Sequence, residues 1–198
     1  MEIVLGSSSA TRRKVLKGAG FVFRVIAPEV DEEAIQRNNP KELTLALANI
    51  KAAAVVSKLT VPGLVIAADQ VVVCHGEVRG KPKNADEARR YLESYRSYPA
   101  ENVNGVVVVN METGRRAQGT HVAKVTFKSL PQEFIESFIV SSQAFAHAGG
   151  FTVENDEFKP YIESIEGGWD SVMGMPLGLL RELIQQVEGN GAVGIWNK

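Results

Sequence analysis

The stretch GLVIAADQVVVCHGEVRGKPKNADEARR, residues 63–90, contains the elements around which the rest of the chain is organised. Its residues 64–68 are a short run of apolar and β-branched side chains, a pattern typical of a strand buried on both faces. Asp69 and Gln70 interrupt the run before it resumes at residues 71–74. A carboxylate among apolar neighbours is costly unless it is paired, hydrogen-bonded or bound to a metal. The sequence therefore singles out Asp69 as a candidate functional residue.

The second half of this stretch predicts a turn, a short strand at residues 77–78, a loop and a helix. Lys81 lies in the loop between a glycine and a proline, which place its ammonium group on a stiff segment. Asn84 is expected to cap the helix, with Glu87 three residues later, as in a capping box. A buried-strand aspartate followed twelve residues later by a loop lysine suits an anionic substrate whose reaction is assisted by a metal.

The size and charge of the chain exclude several classes of protein. Its 198 residues are expected to form a single domain, residues 1–198, with a core of its own. The net charge of −1 gives no general attraction to nucleic acid or to anionic membranes. The single cysteine excludes an internal disulfide and a cysteine-based zinc site. With no signal peptide and no apolar run of about 18 residues, the sequence predicts a soluble, cytoplasmic protein without nucleic-acid or membrane partners.

The N-terminal segment has the order strand, small-residue loop, helix. Residues 3–5 predict a short strand, residues 6–9 read Gly-Ser-Ser-Ser, and a helix is expected to begin near residue 10. Free backbone N–H groups and the helix dipole meet at such a loop, so it can bind phosphate. An ordinary serine N-cap beside two solvated arginines explains the same residues, and this segment alone slightly favours that interpretation. The side chains that would add donors to a phosphate site are Ser7, Ser9, Arg12 and Arg13.

Two further charged residues have two interpretations each. Glu32 lies in an acidic loop that, taken alone, favours simple solvation, but Mg²⁺ takes one or two carboxylates plus substrate phosphates. Lys51 lies one turn after Leu47, at the edge of the apolar stripe of a helix expected over residues 40–59. Either its stem packs while its ammonium reaches water, or the ammonium points into a cleft. The spacing does not decide between these two positions.

The rest of the chain predicts further strands and helices. Gly149 and Gly150 form an elbow within residues 146–151 at which the backbone can approach a ligand, and Glu154 follows it. Serine-hydrolase and zinc-protease motifs are absent, and the glycines before Lys81 are one residue short of a P-loop. The other expected elements are strands at residues 21–27, 102–110 and 117–127 (the last two a hairpin), helices beginning near residues 131 and 176, a loop at residues 169–176, and a loosely held tail after residue 189.

Several of these segments form a series of motifs along the chain. In order, they are Leu5-x-Ser7-x-Ser9-x-x-Arg12-Arg13, Ala27-Pro28-Glu29-Val30-Asp31-Glu32, Ala48-x-x-Lys51-Ala52, Ala68-Asp69-Gln70-Val71, Gly80-Lys81-Pro82, Ala148-Gly149-Gly150-Phe151 and Gly174-Met175-Pro176. The series resembles the Maf (septum-formation protein) family of nucleoside triphosphate pyrophosphatases, and the match runs nearly from end to end. The ordered series is far more specific than any one of its motifs.

The resemblance implies a fold and a reaction. Known members of that family have an α/β fold, similar to that of ITPases, with a bent mixed β-sheet in two lobes, flanked by helices around a deep cleft. They hydrolyse nucleoside triphosphates between the α and β phosphates, giving a monophosphate and pyrophosphate. They use a divalent metal cation, Mg²⁺, Mn²⁺ or Co²⁺. The resemblance also allows a homodimer.

The resemblance further assigns roles to the polar residues of the motifs. Asp69 would hold the metal or orient the attacking water, and Glu32 would be a second acidic group near the metal. Ser7 and the neighbouring loop amides would bind phosphate, with Ser9 and Arg13 as further substrate-binding residues. The cations that would neutralise the triphosphate and the charge on the leaving pyrophosphate are Arg12, Lys51 and Lys81.

Two residues bear on which base is bound. Members of the family that prefer dTTP and UTP typically have Asp-Thr and a glutamine after the glycine elbow, whereas those that prefer 7-methyl-GTP typically have Asp-Gln and a glutamate. Asp69-Gln70 and Glu154 match the second subgroup. A carboxylate can accept from both donors of the guanine Watson–Crick edge and favours a cationic 7-methylguanine, while uracil and thymine suit an amide better. Glu154 is also explained as a solvated loop carboxylate, because residues 155–157 are polar too.

Some positions depart from the family pattern without removing a charged residue of the expected site. Ala10 replaces a usual proline, while Thr11 and Asn104 differ at positions that bear on substrate preference. Three alternative functions remain: a dTTP/UTP pyrophosphatase, a nucleotide-binding regulator of cell division whose hydrolysis is incidental, and a generic sugar-nucleotide or phosphate enzyme. The requirement for Asp69 distinguishes an enzyme from a regulator, because a regulator that only binds the phosphates needs the cations but not the carboxylate.

Overall fold

The computed structural model describes residues 1–188, in which seven strands form a mixed sheet. The strands are β1 (Glu2–Gly6), β2 (Arg24–Val25), β3 (Gly63–Cys74), β4 (Glu77–Arg79), β5 (Ala100–Asn110), β6 (Arg116–Phe127) and β7 (Ile162–Glu166). Their order is β2-β1-β3-β5-β6-β7, and β4 pairs with β3. β1 is parallel to β2 and β3, whereas β4 is antiparallel to β3 and β7 is antiparallel to β6. The sheet is therefore mixed, as the family resemblance implies.

Helices alternate with these strands along the chain, which confirms the predicted α/β class. They are α1 (Ala10–Gly18), α2 (Pro40–Val56), α3 (Ala85–Ser94), α4 (Gln132–Val140), α5 (Trp169–Val172) and α6 (Leu177–Glu188), with short 3₁₀ turns at Gln143–Ala146, Ala148–Gly150 and Lys159–Tyr161. The Asn84 side chain caps α3 by accepting from the Glu87 N–H at 2.9 Å. The Glu87 carboxylate accepts from the N–H of Lys83, one residue before the cap. The expected capping box is therefore present in a form shifted by one residue.

Contacts within the chain divide it into two compact units. The first consists of residues 1–70, 104–121 and 173 onward, and the second of residues 71–103 and 122–172. In the first unit β3 is buried on both faces, as expected for this stretch. Its Leu64, Ile66 and Ala68 pack into a large core with residues of β1, α1, β5 and α6. On the other face Val65 packs with Val4 and Val55, and Ala67 with Ala48, Ala52 and Val107.

An aromatic cluster forms much of the core of the second unit. The Phe158 ring lies edge-on to Phe138, with ring centroids 4.7 Å apart, and also to Phe134, at 5.0 Å. Phe151 is edge-on to Phe127 at 5.1 Å and to Tyr95 at 5.3 Å. Edge-to-face pairs at these distances stabilise a core beyond the area they bury. This cluster packs the segment that carries the glycine elbow against α3 and β6.

Several predicted boundaries differ in the structure. β3 continues without a break through Asp69 and Gln70, because a paired polar side chain does not disturb the backbone ladder. The strand expected at residues 21–27 is reduced to β2, which pairs only with β1 among the described residues, and Val22 beside it is 89% exposed. The predicted loop at residues 169–176 begins with helix α5. The tail after residue 189 lies outside the described residues.

Over residues 1–188, no helix is both long and apolar enough to cross a membrane.

Candidate active site

The first unit contains a buried ion pair with a third charge beside it. The Lys51 Nζ lies 2.6 Å from Asp69 Oδ1 and 2.9 Å from Glu32 Oε2. Lys51 comes from α2, Asp69 from β3 and Glu32 from the loop between β2 and α2. Lys51 and Asp69 are each 6% exposed, while the Glu32 side chain is 52% exposed. Of the two positions open to Lys51, the structure selects the buried one, with the ammonium between two carboxylates.

Small residues on α2 explain how this lysine reaches the middle of β3. Ala48 and Ala52, one turn before and one residue after Lys51, both pack against Ala67 of β3. Short side chains let the helix lie close to the strand, so the lysine between them extends across the face of the sheet to Asp69. The ion pair makes the buried carboxylate tolerable, because either charge left alone in this position would be strongly unfavourable.

Arg12 is held beside this cluster by two hydrogen bonds. Its Nη1 donates to Ser7 Oγ at 3.2 Å, and its Nε donates to the Gly174 carbonyl oxygen at 2.9 Å. Burial lowers the pKa of the Arg12 guanidinium, and attraction to Asp69 and Glu32 partly opposes that shift. These two bonds fix the plane of the guanidinium, so the cation is already oriented before any anion arrives.

Gly174 is suited to this contact by its backbone conformation and by its lack of a side chain. Its φ of +85° is a region that L side chains rarely adopt, and a Cβ there would lie 3.2 Å from Arg12 Nε. The same Cβ would lie 3.6 Å from Gln70 Oε1. The glycine of the Gly174-Met175-Pro176 motif therefore keeps its carbonyl oxygen close to the Arg12 guanidinium. The Gln70 side chain lies close to the same glycine.

Gln70 is paired with a buried amide on the neighbouring strand. Its Nε2 donates to Asn104 Oδ1 at 3.2 Å, and Asn104 is completely buried on β5. The next residue, Gly105, passes so close to α2 that a Cβ would lie 2.5 Å from the backbone carbonyl carbon of Thr44. Asn104 is thus fixed in place, whereas in the sequence it stands out only as a departure from the family pattern. The signal that singled out Asp69, a polar residue inside an apolar strand, would also have identified Asn104.

The other two N-terminal candidates have different surroundings. Ser9 Oγ accepts from the Arg12 backbone N–H at 3.3 Å, so the hydroxyl serves as the N-cap of α1. Arg13 lines a surface pocket along α1 together with Lys14 and Lys17. The structure joins Ser7 to Arg12 directly, whereas it places Ser9 and Arg13 in the helix cap and on the outer side of the helix.

Lys81 and Glu154 belong to the second unit, where both act electrostatically on His147. Burial lowers the pKa of the His147 imidazole, Glu154 raises it and Lys81 lowers it further. The Lys81 side chain is exposed, and Glu154 is half-buried. The loop of Lys81 is joined to the glycine elbow, because the Gly149 N–H donates to the Gly80 carbonyl oxygen at 2.9 Å. The two predicted residues of this unit are therefore near one another through His147 and the elbow.

The glycine elbow approaches other parts of the protein. Gly149 has a φ of +72°, and a Cβ there would lie 2.7 Å from Tyr95 Oη and 2.8 Å from Val72 Cγ1. The Tyr95 hydroxyl donates to the Gly149 carbonyl oxygen at 2.8 Å. In the structure Gly149 packs closely against Tyr95 and Val72, and the approach of the elbow to a ligand stays a prediction. No pattern in the sequence distinguishes Tyr95 from the other aromatic residues of the core.

The two carboxylates of the first unit are ligands of the type that Mg²⁺ takes in proteins. Within residues 1–188, no group of three or more His, Cys, Asp or Glu side chains is arranged to hold a metal ion. Asp69 and Glu32 nevertheless lie on either side of one ammonium group. Mg²⁺ commonly takes one or two carboxylates and completes its shell with water and phosphate oxygens. Asp69 and Glu32 could therefore supply two of the ligands of such a cation, and Lys51 and Arg12 are the cations beside them.

Comparison with known proteins gives a consistent result over almost the whole chain. The family model described as Maf-like protein matches residues 2–187. A protein of Dictyostelium discoideum named 7-methyl-GTP pyrophosphatase is 38% identical over 93% of this chain and 96% of its own length. A nucleoside triphosphate pyrophosphatase of Synechococcus sp. (strain JA-2-3B'a(2-13)) is 35% identical over 98% of both chains. A dTTP/UTP pyrophosphatase of Desulforamulus reducens is 34% identical over 92% of this chain and 95% of its own length.

Proposed function

This chain belongs to the Maf family, and from that premise we propose that it is a nucleoside triphosphate pyrophosphatase that prefers 7-methyl-GTP. The reaction is attack by water on the α-phosphorus, with cleavage of the bond to the bridging oxygen of the β-phosphate. The products are a nucleoside monophosphate and pyrophosphate. The relatives at 34–38% identity that carry pyrophosphatase names support the reaction.

The observation that carries the proposal is the buried Lys51–Asp69 pair with Glu32 and Arg12 around it. Asp69 has a second carboxylate oxygen besides the one bonded to Lys51, and we assign this oxygen to the attacking water or to the cation. Lys51 holds the carboxylate in one orientation, which keeps the water in line with the α-phosphorus. Packing of a hydrophobic core does not require two carboxylates around one ammonium group. An enzyme that acts on phosphates requires both positive and negative groups close together.

The cations of the site act on the charge that develops during the reaction. As the bond to the pyrophosphate breaks, negative charge accumulates on the leaving oxygen, and fixed positive groups stabilise it. Arg12, held by Ser7 and Gly174, needs little reorganisation to do this. Lys81 is a second candidate for the same role, because it is an exposed cation on a short loop that hydrogen bonds hold in place.

A divalent cation held by Asp69 and Glu32, together with the phosphates, would add positive charge and make the attacking water more acidic at neutral pH. Mg²⁺, Mn²⁺ and Co²⁺ all suit oxygen ligands of this kind. The two carboxylates of this chain would provide its protein ligands.

The preference for 7-methyl-GTP depends on Gln70 and Glu154. Glu154 is half-buried in a unit where its charge acts on His147, which favours a defined carboxylate over a freely solvated one. A carboxylate accepts from both donors on the guanine edge and attracts the positive charge of a 7-methylated ring. The dTTP/UTP activity named for relatives at 34% identity is the alternative specificity.

Two broader assignments belong to the same proposal. We propose a cytoplasmic location, where a nucleoside triphosphate pyrophosphatase meets its substrates. A homodimer remains part of the proposal by resemblance, and size-exclusion chromatography with light scattering tests it.

The test of the reaction is pyrophosphate release from a panel of canonical and modified nucleoside triphosphates with Mg²⁺, Mn²⁺ or Co²⁺, and with EDTA as control. The enzyme is expected to release pyrophosphate only with a metal and fastest from 7-methyl-GTP. Asp69→Asn is expected to lower turnover by about 10²–10⁴-fold while a non-hydrolysable triphosphate still binds. Glu29→Gln is the matched control, because Glu29 is an exposed acid paired with Lys58.

Each negative outcome of this test has a separate meaning. Faster turnover of dTTP and UTP would keep the reaction and reject the base assignment. Full activity in EDTA would reject the role of the metal. Binding of nucleotides without any hydrolysis would favour a regulator of cell division, for which the cations suffice.

A further inference from the structure

Two hydrogen bonds in series connect Tyr95, at the C-terminal end of α3, to the loop that carries Lys81. The Tyr95 hydroxyl donates to the carbonyl oxygen of Gly149 at 2.8 Å. The N–H of the same Gly149 donates to the carbonyl oxygen of Gly80 at 2.9 Å. One glycine of the elbow thus links a buried hydroxyl to the residue directly before Lys81.

The Tyr95 ring is fixed from several sides, so its hydroxyl has a defined position. Tyr95 is 1% exposed, and its ring centroid lies 5.4 Å from that of Phe127 and 5.3 Å from that of Phe151. The Arg79 guanidinium carbon lies 5.1 Å from the ring centroid, within cation–π range. Burial raises the pKa of the Tyr95 hydroxyl, so the group stays protonated and remains a hydrogen-bond donor at neutral pH.

Arg79 is itself held by α3, which makes the support rigid. Its Nη1 donates to Ser94 Oγ at 2.7 Å and to the Tyr91 carbonyl oxygen at 3.2 Å. The guanidinium also lies over the Tyr91 ring, 4.7 Å from its centroid. Arg79 is 3% exposed. A buried cation with these partners fixes the end of α3 and the ring of Tyr95 together.

The elbow lies between the two predicted residues of this unit. On one side a Cβ on Gly150 would lie 3.2 Å from Pro82 Cγ, so the elbow packs closely on the Lys81 loop. On the other side the chain continues through Phe151 of the aromatic cluster to Glu154. A shift of Gly149 would therefore be transmitted to the Lys81 loop directly, and to Glu154 along four residues of backbone.

We propose that Tyr95 is a positioning residue for the pyrophosphatase reaction, whose hydroxyl fixes Gly149 and through it the loop that carries Lys81. This inference rests on the proposed function. Tyr95 does not act on the substrate itself; it acts through Lys81. Its removal therefore misplaces a cation that stabilises the leaving group, and we expect the loss mainly in kcat.

The experiment compares Tyr95→Phe with Tyr98→Phe in the full chain. Phenylalanine keeps the ring of each residue and removes only the hydroxyl, and Tyr98 is an exposed tyrosine of the same unit. Tyr95→Phe is expected to lower kcat about fivefold to tenfold with KM less affected, since one buried hydrogen bond is lost. Tyr98→Phe is expected to leave kcat unchanged. Hydrogen exchange at the Gly149 amide should be faster in Tyr95→Phe only.

A double-mutant cycle with Lys81→Ala separates positioning from a general loss of stability. If Tyr95 acts through Lys81, Tyr95→Phe should have almost no further effect on kcat in the Lys81→Ala background. The same fold loss in both backgrounds would overturn the inference, as would an unchanged kcat in Tyr95→Phe. A wild-type chain that hydrolyses no nucleoside triphosphate would reject the proposed function itself and the inference with it, whereas the other outcomes leave that function standing.

Discussion

The ammonium of Lys51 lies 2.6 Å from a carboxylate oxygen of Asp69, and both residues are almost completely buried. Each charge makes the other tolerable in this position, although such pairs contribute little net stability. A buried ion pair at the centre of β3 is therefore better explained by chemistry than by folding.

Lys51→Met should destabilise the protein, because it leaves the Asp69 carboxylate buried without its main partner. We expect a loss of about 3 kcal/mol in the free energy of unfolding, measured by urea denaturation, together with loss of turnover. The double variant Lys51→Met/Asp69→Leu should recover most of the stability and none of the activity. Lys58→Met is the control, because its partner Glu29 is exposed and little change in stability should follow. A stable, fully active Lys51→Met would contradict the proposed role of the pair.

Glu154→Gln should change the choice of base. The amide has one acceptor and one donor where the carboxylate has only acceptors, so it suits uracil better than guanine. We expect the ratio of kcat/KM for 7-methyl-GTP to that for UTP to fall by about tenfold or more, which corresponds to one or two hydrogen bonds. Glu157→Gln is a control on a neighbouring exposed carboxylate. An unchanged ratio would make Glu154 an ordinary loop residue.

Asn104→Ala should weaken substrate selection through Gln70. Its Oδ1 accepts from Gln70 Nε2, so the substitution releases the amide from its orientation. We expect KM for the preferred nucleotide to rise several-fold, with a smaller change in kcat, in steady-state assays. Asn110→Ala is the matched control, because Asn110 is also buried on β5 but accepts from the turn N–H groups of Glu112 and Thr113. It should lower stability without altering the ranking of substrates.

His147 should make stability depend on pH below neutrality. Burial lowers the pKa of His147 in the folded protein below the ordinary value of 6.5. Lys81 lowers this pKa further, whereas Glu154 raises it. Between the lowered pKa and 6.5 the unfolded chain binds more protons, so the free energy of unfolding falls as the pH falls through that window. Above 6.5 the contribution of His147 to stability is complete.

Melting temperatures measured from pH 7.5 to pH 5 check this expectation. His147→Gln should flatten the decrease over that range, because the side chain no longer titrates. His75→Asn is the control, since His75 is exposed and asparagine tolerates its φ of 50°. Equal pH dependence in wild type and His147→Gln would show that other groups cause the decrease.

Local patterns in the sequence predicted much of the fold. The cap at Asn84, the start of α1 after Ser9 and the two-sided burial of β3 depend on residues close together in the chain, so they can be inferred from spacing alone. The errors occurred where spacing carries no such information. β2 is shorter than predicted because it lies at the edge of the sheet, and α5 occupies part of an expected loop.

Only the part of the candidate site that depends on local sequence context could be predicted. Asp69 was identified because a charge inside an apolar run must have a partner, and that logic needs no structure. The partner could not be read from the sequence, because Lys51 is 18 residues away and its position on the helix allowed burial or exposure. Tyr95 gave no signal, because its hydroxyl acts on a carbonyl oxygen 54 residues away.

The sequence by itself determined the α/β class, the family and the types of residue available for phosphate chemistry, because these follow from periodicity and from an ordered series of motifs. Only the tertiary structure decided that Lys51 is buried between Asp69 and Glu32, that Arg12 is anchored on Ser7 and Gly174, and that Gln70 is paired with Asn104. The physical reason is that the energy of a charge depends on its solvent exposure and on its partners. Both are set by how distant segments pack, and neither is encoded in the spacing of nearby residues.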